Sequence, residues 1–244
     1  PGTYRIAVLG GSYLVGGGVD DDETFENLLE DRLNREWGSS ERPRFELWNY
    51  GLGDRASLTY VYGLRLSILP SDPDAIFLVV HHRDFDKSVE KLAKGSRRMS
   101  DFAGTPLGEI LERAGVTEEM PAFERERRLL PFDDAVVQFA YGELARQSRE
   151  AGVTPVWVYL PITKERGRRA RRAAEDERLL RRYAEEAGFE TVSLSGLFEP
   201  HDQRTITLAP WDDHPNRRGH RLIADSLYAA LRAHAEEIGL PPPE

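Results

Sequence analysis

Apolar positions along the chain fall into short continuous runs that alternate with stretches of helical spacing. The first run covers residues 6–9 and breaks at Gly10-Gly11-Ser12. Phe25, Leu28, Leu29 and Leu33 then recur every three or four residues, with Thr24 where a helix cap is expected. A second strand over 45–49 enters the glycine-bearing turn Asn49-Tyr50-Gly51-Leu52-Gly53-Asp54, and an apolar helix over about 58–69 follows, stopped by Pro70. The stretch AIFLVV at 75–80 is apolar at every position, as in a parallel strand covered on both faces, and leads into His81-His82-Arg83-Asp84.

From 86 to about 130 the periodicity is poor and charges, glycines and prolines are mixed, which predicts an insertion of short helices over the sheet's edge, a candidate lid. Order resumes at Asp133 or Asp134 with a helix carrying Val137, Ala140, Tyr141 and Leu144, which ends at Gly152. A fourth strand is expected over 155–160. Residues 166–187 form a highly charged helix whose interspersed acids mark a solvated face rather than an anion-binding one. A fifth strand over 191–194, an irregular stretch to Pro210 and an amphipathic helix from Arg217 to about 238 complete the pattern. Alternating strands and helices imply an α/β fold: a three-layer α/β/α sandwich around a parallel five-stranded sheet in the order 2-1-3-4-5, with 1–244 as one domain.

The 244 residues, 40% of them hydrophobic, suffice for a full core. A formal charge of -9 argues against nucleic acid as a partner, since phosphate binding needs a basic face. The absence of cysteine excludes disulfides and thiolate chemistry. No apolar run approaches the ~20 residues of a membrane-spanning helix, and no signal peptide precedes Tyr4. A chain trimmed to begin at Pro1 fits a cytoplasmic protein and an extracytoplasmic domain equally, so compartment and oligomeric state stay open.

The carboxyl edge of such a sheet collects Ser12, the 51–54 turn, the 81–84 turn and the loop before the last helix. Ser12 follows two glycines at a strand end, which suits a nucleophile in an unhindered turn and equally a serine that merely caps a glycine-rich connection. In the last loop Asp212 stands two residues before His214. A carboxylate so placed can hold one imidazole nitrogen while the other faces a serine, the arrangement that activates a hydroxyl. His81, His82, Asp84, Asp86, Asp212 and His214 can also be drawn as a metal site, but successive strand positions face opposite ways, against His81 and His82 sharing an ion. His220 reads as a packing or surface histidine. Gly16-Gly17-Gly18 lacks the lysine and Ser/Thr of a phosphate loop.

Four blocks in order, from Leu9-Gly10-Gly11-Ser12 to Asp212-Asp213-His214-Pro215-Asn216, resemble the SGNH/GDSL hydrolases. Residues 19–34, VDDDETFENLLEDRLN, resemble the segment that follows the serine block in many bacterial members. The resemblance implies a flavodoxin-like sandwich and ester hydrolysis through Ser12, His214 and Asp212, with no cofactor or metal. It departs from the family at four points. Gly11 replaces the usual aspartate before the serine. Counting from Asn49 puts Asp54 at the family's oxyanion glycine, and a one-residue shift puts Gly53 there. Arg83 stands where an asparagine donor is expected. The acid lies two residues, not three, before the histidine. An ionised Asp54 would oppose an oxyanion, whereas Arg83 adds a donor and positive charge. The expected function is a serine esterase acting on a small acyl group of a glycan or metabolite. A carbohydrate O-acyltransferase with the same triad and a non-catalytic binding domain are the alternatives.

Overall fold

The computed structural model describes residues 2–37, 43–95, 99–164 and 167–241. Five strands lie parallel in one sheet: β1 (Thr3–Leu9), β2 (Arg44–Asn49), β3 (Ala75–Val80), β4 (Thr154–Tyr159) and β5 (Glu190–Ser193). Their order is β2-β1-β3-β4-β5, as the alternating pattern predicts. Every residue of the central strand β3 is buried, and it pairs with β1 through Val8 opposite Phe77 and with β4 through Leu78 opposite Trp157.

Strand alternation sorts these side chains into two cores. Ala7, Leu9, Ile76, Leu78, Trp157 and Tyr159 face one side; Ile6, Val8, Phe77, Val79, Val156 and Val158 face the other. In chain order the helices are α1 (Ser12–Val15), α2 (Phe25–Glu36), α3 (Ser57–Gly63), α4 (Asp84–Lys94), α5 (Pro106–Arg113), α6 (Ala122–Leu129), α7 (Asp133–Glu150), α8 (Arg168–Ala187), α9 (Arg217–Ala233) and α10 (Ala235–Ile238). α1, α2, α9 and α10 supply the second core; α3 to α8 supply the first. Each apolar side chain so buried contributes about 1.5–3 kcal/mol, which is why both faces need a helical layer.

Four expectations change. Residues 86–130 are more regular than their composition suggests: α4, α5 and α6 send Phe85, Val89, Leu107, Ile110 and Leu129 into the same core as α7, so the stretch extends the helical layer. The helix expected over 58–69 stays α-helical only to Gly63, then widens into a π turn (Leu64–Ile68) and tightens at Leu69–Ser71. Gln147 Nε2 donates to the Val61 carbonyl at 3.0 Å, taking an acceptor that the helical ladder would use. The helix expected from Arg166 is described from Arg168, Arg166 itself lying outside the described residues. The stretch before the last helix holds an antiparallel hairpin, β6 (Thr207–Ala209) with β7 (Asp212–Pro215), too short for a periodicity signal.

Candidate active site

At the end of β1, Gly10 meets the neighbouring strand so closely that a Cβ there would lie 3.2 Å from the Val79 carbonyl oxygen. Tyr60 fastens the turn: its hydroxyl donates to the Gly10 carbonyl at 2.7 Å and accepts the Gly10 N–H at 3.2 Å. Gly11 is different. Its backbone is extended (φ -83°, ψ -156°), and a Cβ there would sit 3.5 Å from the Arg55 carbonyl oxygen, an ordinary contact. A Cβ is therefore accommodated at Gly11, and the backbone conformation does not require glycine there. Ser12 opens α1, so its N–H has no intrahelical acceptor.

The hairpin brings the other two groups. Asp212 and His214 occupy alternate positions of β7 and share a face of the strand. His214 Nδ1 lies 2.6 Å from Asp212 Oδ1, and the His214 main-chain N–H donates to the same oxygen at 3.0 Å. These two bonds, the main-chain one first, hold the Asp212 carboxyl below its usual range. His214 Nε2 lies 2.8 Å from Ser12 Oγ. Three residues separated by up to 202 positions thus form one hydrogen-bonded line.

The hairpin is pinned by contacts that sequence reasoning missed. The Tyr13 hydroxyl donates to the Asp213 carbonyl and accepts the Thr163 N–H at 3.2 Å, and Thr163 Oγ1 donates to the same carbonyl at 2.6 Å. Asn216 Nδ2 donates to the Thr207 carbonyl at 3.0 Å, and its Oδ1 accepts the first free N–H groups of α9. These side chains sit beside the motif residues, but nothing in a local pattern marks them as braces.

Two of the oxyanion candidates, Asp54 and Arg83, share a cavity with Ser12 and His214. A cavity of about 260 Å³ is lined by Ser12 and His214 together with Asp54, Arg55, Arg83 and Lys87. Asp54 holds a left-handed backbone (φ 57°), unusual for a residue with a side chain and natural for glycine, which supports the register that aligns Asp54 with the family's glycine. Gly53 is exposed one residue earlier. Neither Gly53 nor Asp54 N–H meets a backbone acceptor among the described residues. The Asp54 carboxylate accepts from Lys87 Nζ at 2.6 Å and from Lys91, and these bonds draw its pKa down to about 2. Its charge is therefore fixed and largely offset by two lysines one helical turn apart on α4.

Arg83 precedes α4, and its N–H donates to His81 Nδ1 at 3.1 Å. Desolvation, then its neighbours His82, Arg83 and Lys87, push the His81 pKa down to about 3. Two carboxylates that could neutralise Arg83, Asp54 and Asp84, are engaged elsewhere, and Asp86 lines the adjoining cavity with Arg83 without an ion pair to it among the described residues. Asp54 takes the lysines, and buried Asp84 accepts from the Ser57 N–H at 3.0 Å and the Tyr141 hydroxyl at 3.1 Å. Among the described residues the Arg83 guanidinium has no ion-pair partner. A second cavity of about 380 Å³ adjoins through Arg83, Ile162 and Asp213 and mixes Lys164, Arg169 and Arg172 with Asp133 and Asp176.

The metal reading loses its geometry. His81 lines the cavity at Ser12 whereas His82 lines the adjoining one, and Asp84 is inside the protein. Asp212, Asp213 and His214 come close enough to offer ligand atoms, but both His214 nitrogens already face Asp212 and Ser12. His220 is buried, stacks on Phe25, and accepts the Phe25 N–H at Nδ1 (3.1 Å), capping α2 from another element.

A family model described as the GDSL-like Lipase/Acylhydrolase family matches residues 8–222. No curated protein sequence matches the chain. Among solved structures, a two-domain esterase described as active on acetylated mannans is 16% identical over 99% of this chain, with a TM-score of 0.61. The chain spans about half of that protein, 52% of its length. A catalytic mutant of an acetylxylan esterase from Geobacillus stearothermophilus superimposes with a TM-score of 0.61 at 11% identity, covering 95% of each chain. An alpha/beta hydrolase enzyme from the metagenome of Lake Arreo, Spain, gives a TM-score of 0.59 at 17% identity, covering 93% of this chain and 94% of its own. These likenesses establish the shared fold.

Proposed function

The chain belongs to the GDSL-like lipase/acylhydrolase family of ester-cleaving serine hydrolases, and from that premise we propose that Ser12, His214 and Asp212 form its triad and that it removes small acyl groups from a glycan. The observation that carries the triad is the line Ser12 Oγ, His214 Nε2, His214 Nδ1, Asp212 Oδ1, with separations of 2.8 and 2.6 Å. The substrate class draws on two neighbours described as acting on acetylated mannans and as an acetylxylan esterase, and on the charged side chains Asp54, Arg55, Arg83 and Lys87 in the walls of the cavity at Ser12.

His214 Nε2 takes the Ser12 proton as Oγ attacks the acyl carbon, and Asp212 stabilises the imidazolium through Nδ1–H. The carbonyl oxygen becomes an oxyanion facing the N–H groups of Ser12 and of Gly53 or Asp54, with the Arg83 guanidinium adding charge. His214 returns the proton to the departing alkoxide. Water, deprotonated by the same nitrogen, then splits the acyl-enzyme and releases the carboxylic acid and free Ser12.

The test is acetate release from acetylated mannan and acetylated xylan alongside 4-nitrophenyl acetate, for the parent and Ser12→Ala. The reading expects release from at least one glycan and its loss in the variant. Cleavage of 4-nitrophenyl acetate without release from either glycan rejects the substrate class; retention of activity in Ser12→Ala rejects the triad.

A further inference from the structure

Glu26 enters the molecule at the start of α2 and is 2% exposed. It is a carboxyl group where helix spacing would allow an apolar side chain. Its Oε1 accepts from Asn49 Nδ2, while its Oε2 is buried without a hydrogen-bond partner among the described residues. A buried carboxylate with an unpartnered oxygen is costly; the neutral acid is much less so. Burial pushes the Glu26 pKa up to about 7, against the lowering effects of its own N–H, Asn49 and Thr24.

Among the described residues no cation is paired with the Glu26 carboxyl. Asp21, in the turn before α2, adds repulsion. Glu23 in that turn is paired with Arg217 of α9. On α9, His220 faces Phe25 and accepts its N–H, and its pKa is pushed down to about 4 by desolvation and then by His214. One turn along α2, Glu30 accepts the Leu47 N–H of β2 at 2.7 Å.

Asn49 joins this carboxyl to both halves of the site. Besides meeting Glu26, its Nδ2 donates to the Leu14 carbonyl at 2.6 Å, inside the one-turn helix that Ser12 opens. Its Oδ1 accepts the Gly51 N–H at 2.7 Å, at the root of the loop carrying Gly53 and Asp54. The fit is tight, since a Cβ on Gly51 would lie 2.8 Å from Asn49 Oδ1 and 2.8 Å from Leu14 Cγ. The Asn49 amide thus ties the Ser12 helix to the 51–54 loop, alongside the Leu52 N–H bond to the Gly10 carbonyl at 3.2 Å, and one acid meets that amide from behind.

We propose that Glu26 is a positioning residue: while its carboxyl keeps its proton it lets Asn49 hold the Ser12 helix and the 51–54 loop in register, and its ionisation loosens both. The inference rests on the esterase reading of Ser12. An ionised Glu26 is drawn toward water at the start of α2 and takes the Asn49 amide with it, away from the Leu14 carbonyl and the Gly51 N–H. The direction follows from the sign of the shift. A pKa raised above the ordinary 4.5 means that the folded state favours the protonated form. Its contribution is therefore complete below about 4.5 and is lost as pH rises through about 7.

The experiment follows the Gly51 amide and the Glu26 carboxyl carbon by NMR from pH 5.5 to 9, with kcat/KM for 4-nitrophenyl acetate across the same range, in the parent, Glu26→Gln and Asn49→Ala. Glutamine mimics the neutral acid. The proposal expects the Gly51 amide to titrate with Glu26 in the parent and to stop doing so in both variants. It also expects the ratio of Glu26→Gln to parent kcat/KM to rise roughly tenfold between pH 6 and 8.5, the scale of a small misplacement of reacting groups. A Gly51 amide indifferent to Glu26, or a ratio flat with pH, overturns it. If Glu26→Gln fails to fold, the parent titration and Asn49→Ala still decide. Coupled titration in a protein that hydrolyses no ester would keep the link and remove the esterase reading; robust hydrolysis without that titration would do the reverse.

Discussion

The two sides of Ser12 are built in different ways. On one side, Asp212 and His214 sit on one short strand, and their relation follows from its two-residue period together with three hydrogen bonds between 2.6 and 3.0 Å. On the other, Asp54 and Arg83 depart from the family pattern; the Asp54 carboxylate is paired with Lys87 and Lys91, more than thirty residues away, and in the proposed site Arg83 adds positive charge of its own. A proton relay, as proposed for Ser12, His214 and Asp212, depends on particular atoms at hydrogen-bond distance. Anion stabilisation is a sum of fields, and the same sum can be reached with different side chains.

The largest effect breaks the relay side. Ser12→Ala and His214→Ala are each expected to lower kcat for a short-chain ester by roughly 10⁴-fold or more, with the double variant little worse than either single one. Additive losses, seen in steady-state kinetics, would mean that the two residues do not act as a unit. Next comes Arg83. As an oxyanion donor it should support the transition state, so Arg83→Ala is expected to reduce kcat by roughly 10²- to 10³-fold with KM nearly constant, and Arg83→Asn to recover part of the loss. A lowered Tm with unchanged kcat would instead make it a brace for the turn before α4.

How much of this was legible in the sequence differs between the two sides as well. The strand order and the buried character of 75–80 follow from alternating and continuous apolar runs, and an acid two residues from a histidine suggests the Asp212–His214 contact; the glycine turn alone leaves Ser12 open between nucleophile and turn residue, and the four blocks in order favour the first. The β6–β7 hairpin was not legible, because strands of three and four residues are too short to show a period. Residues 86–130 look irregular because glycines and prolines break three short helices, although α4 and α5 each keep an inward apolar stripe and α6 buries Leu129. The neutralisation of Asp54 was invisible because it depends on α4 crossing beside the 51–54 loop. Glu26 and Asn49 were silent for the same reason: a buried acid reads like any helix-start acid until its neighbours are in place.

A smaller effect sharpens the charge side. Replacing Lys87 and Lys91 together by methionine leaves the Asp54 carboxylate facing the oxyanion uncompensated, and kcat is expected to fall by roughly 5- to 10-fold, a modest change because Asp54 is partly solvated. Adding Asp54→Gly to that variant should restore the loss; failure to restore it, on the same ester assay, would place the lysines' role elsewhere. Smallest of all is Gly11→Asp, which brings in the family's usual residue at a position with room for a Cβ, and its effect on kcat and on Tm is expected to stay within about twofold and a degree or two. A large loss would show that the missing aspartate matters to how this site is charged.

The claim that joins both sides is that Ser12 is an activated hydroxyl facing a working oxyanion hole. A fluorophosphonate probe reports the two together, because its phosphorus is attacked by the hydroxyl and its oxygen needs the same donors. Mass spectrometry of the labelled, folded protein is predicted to place a single adduct on Ser12, with the adduct lost in His214→Ala and slowed in Arg83→Ala. A folded parent protein that takes up no probe, or carries it on another residue, would contradict the account.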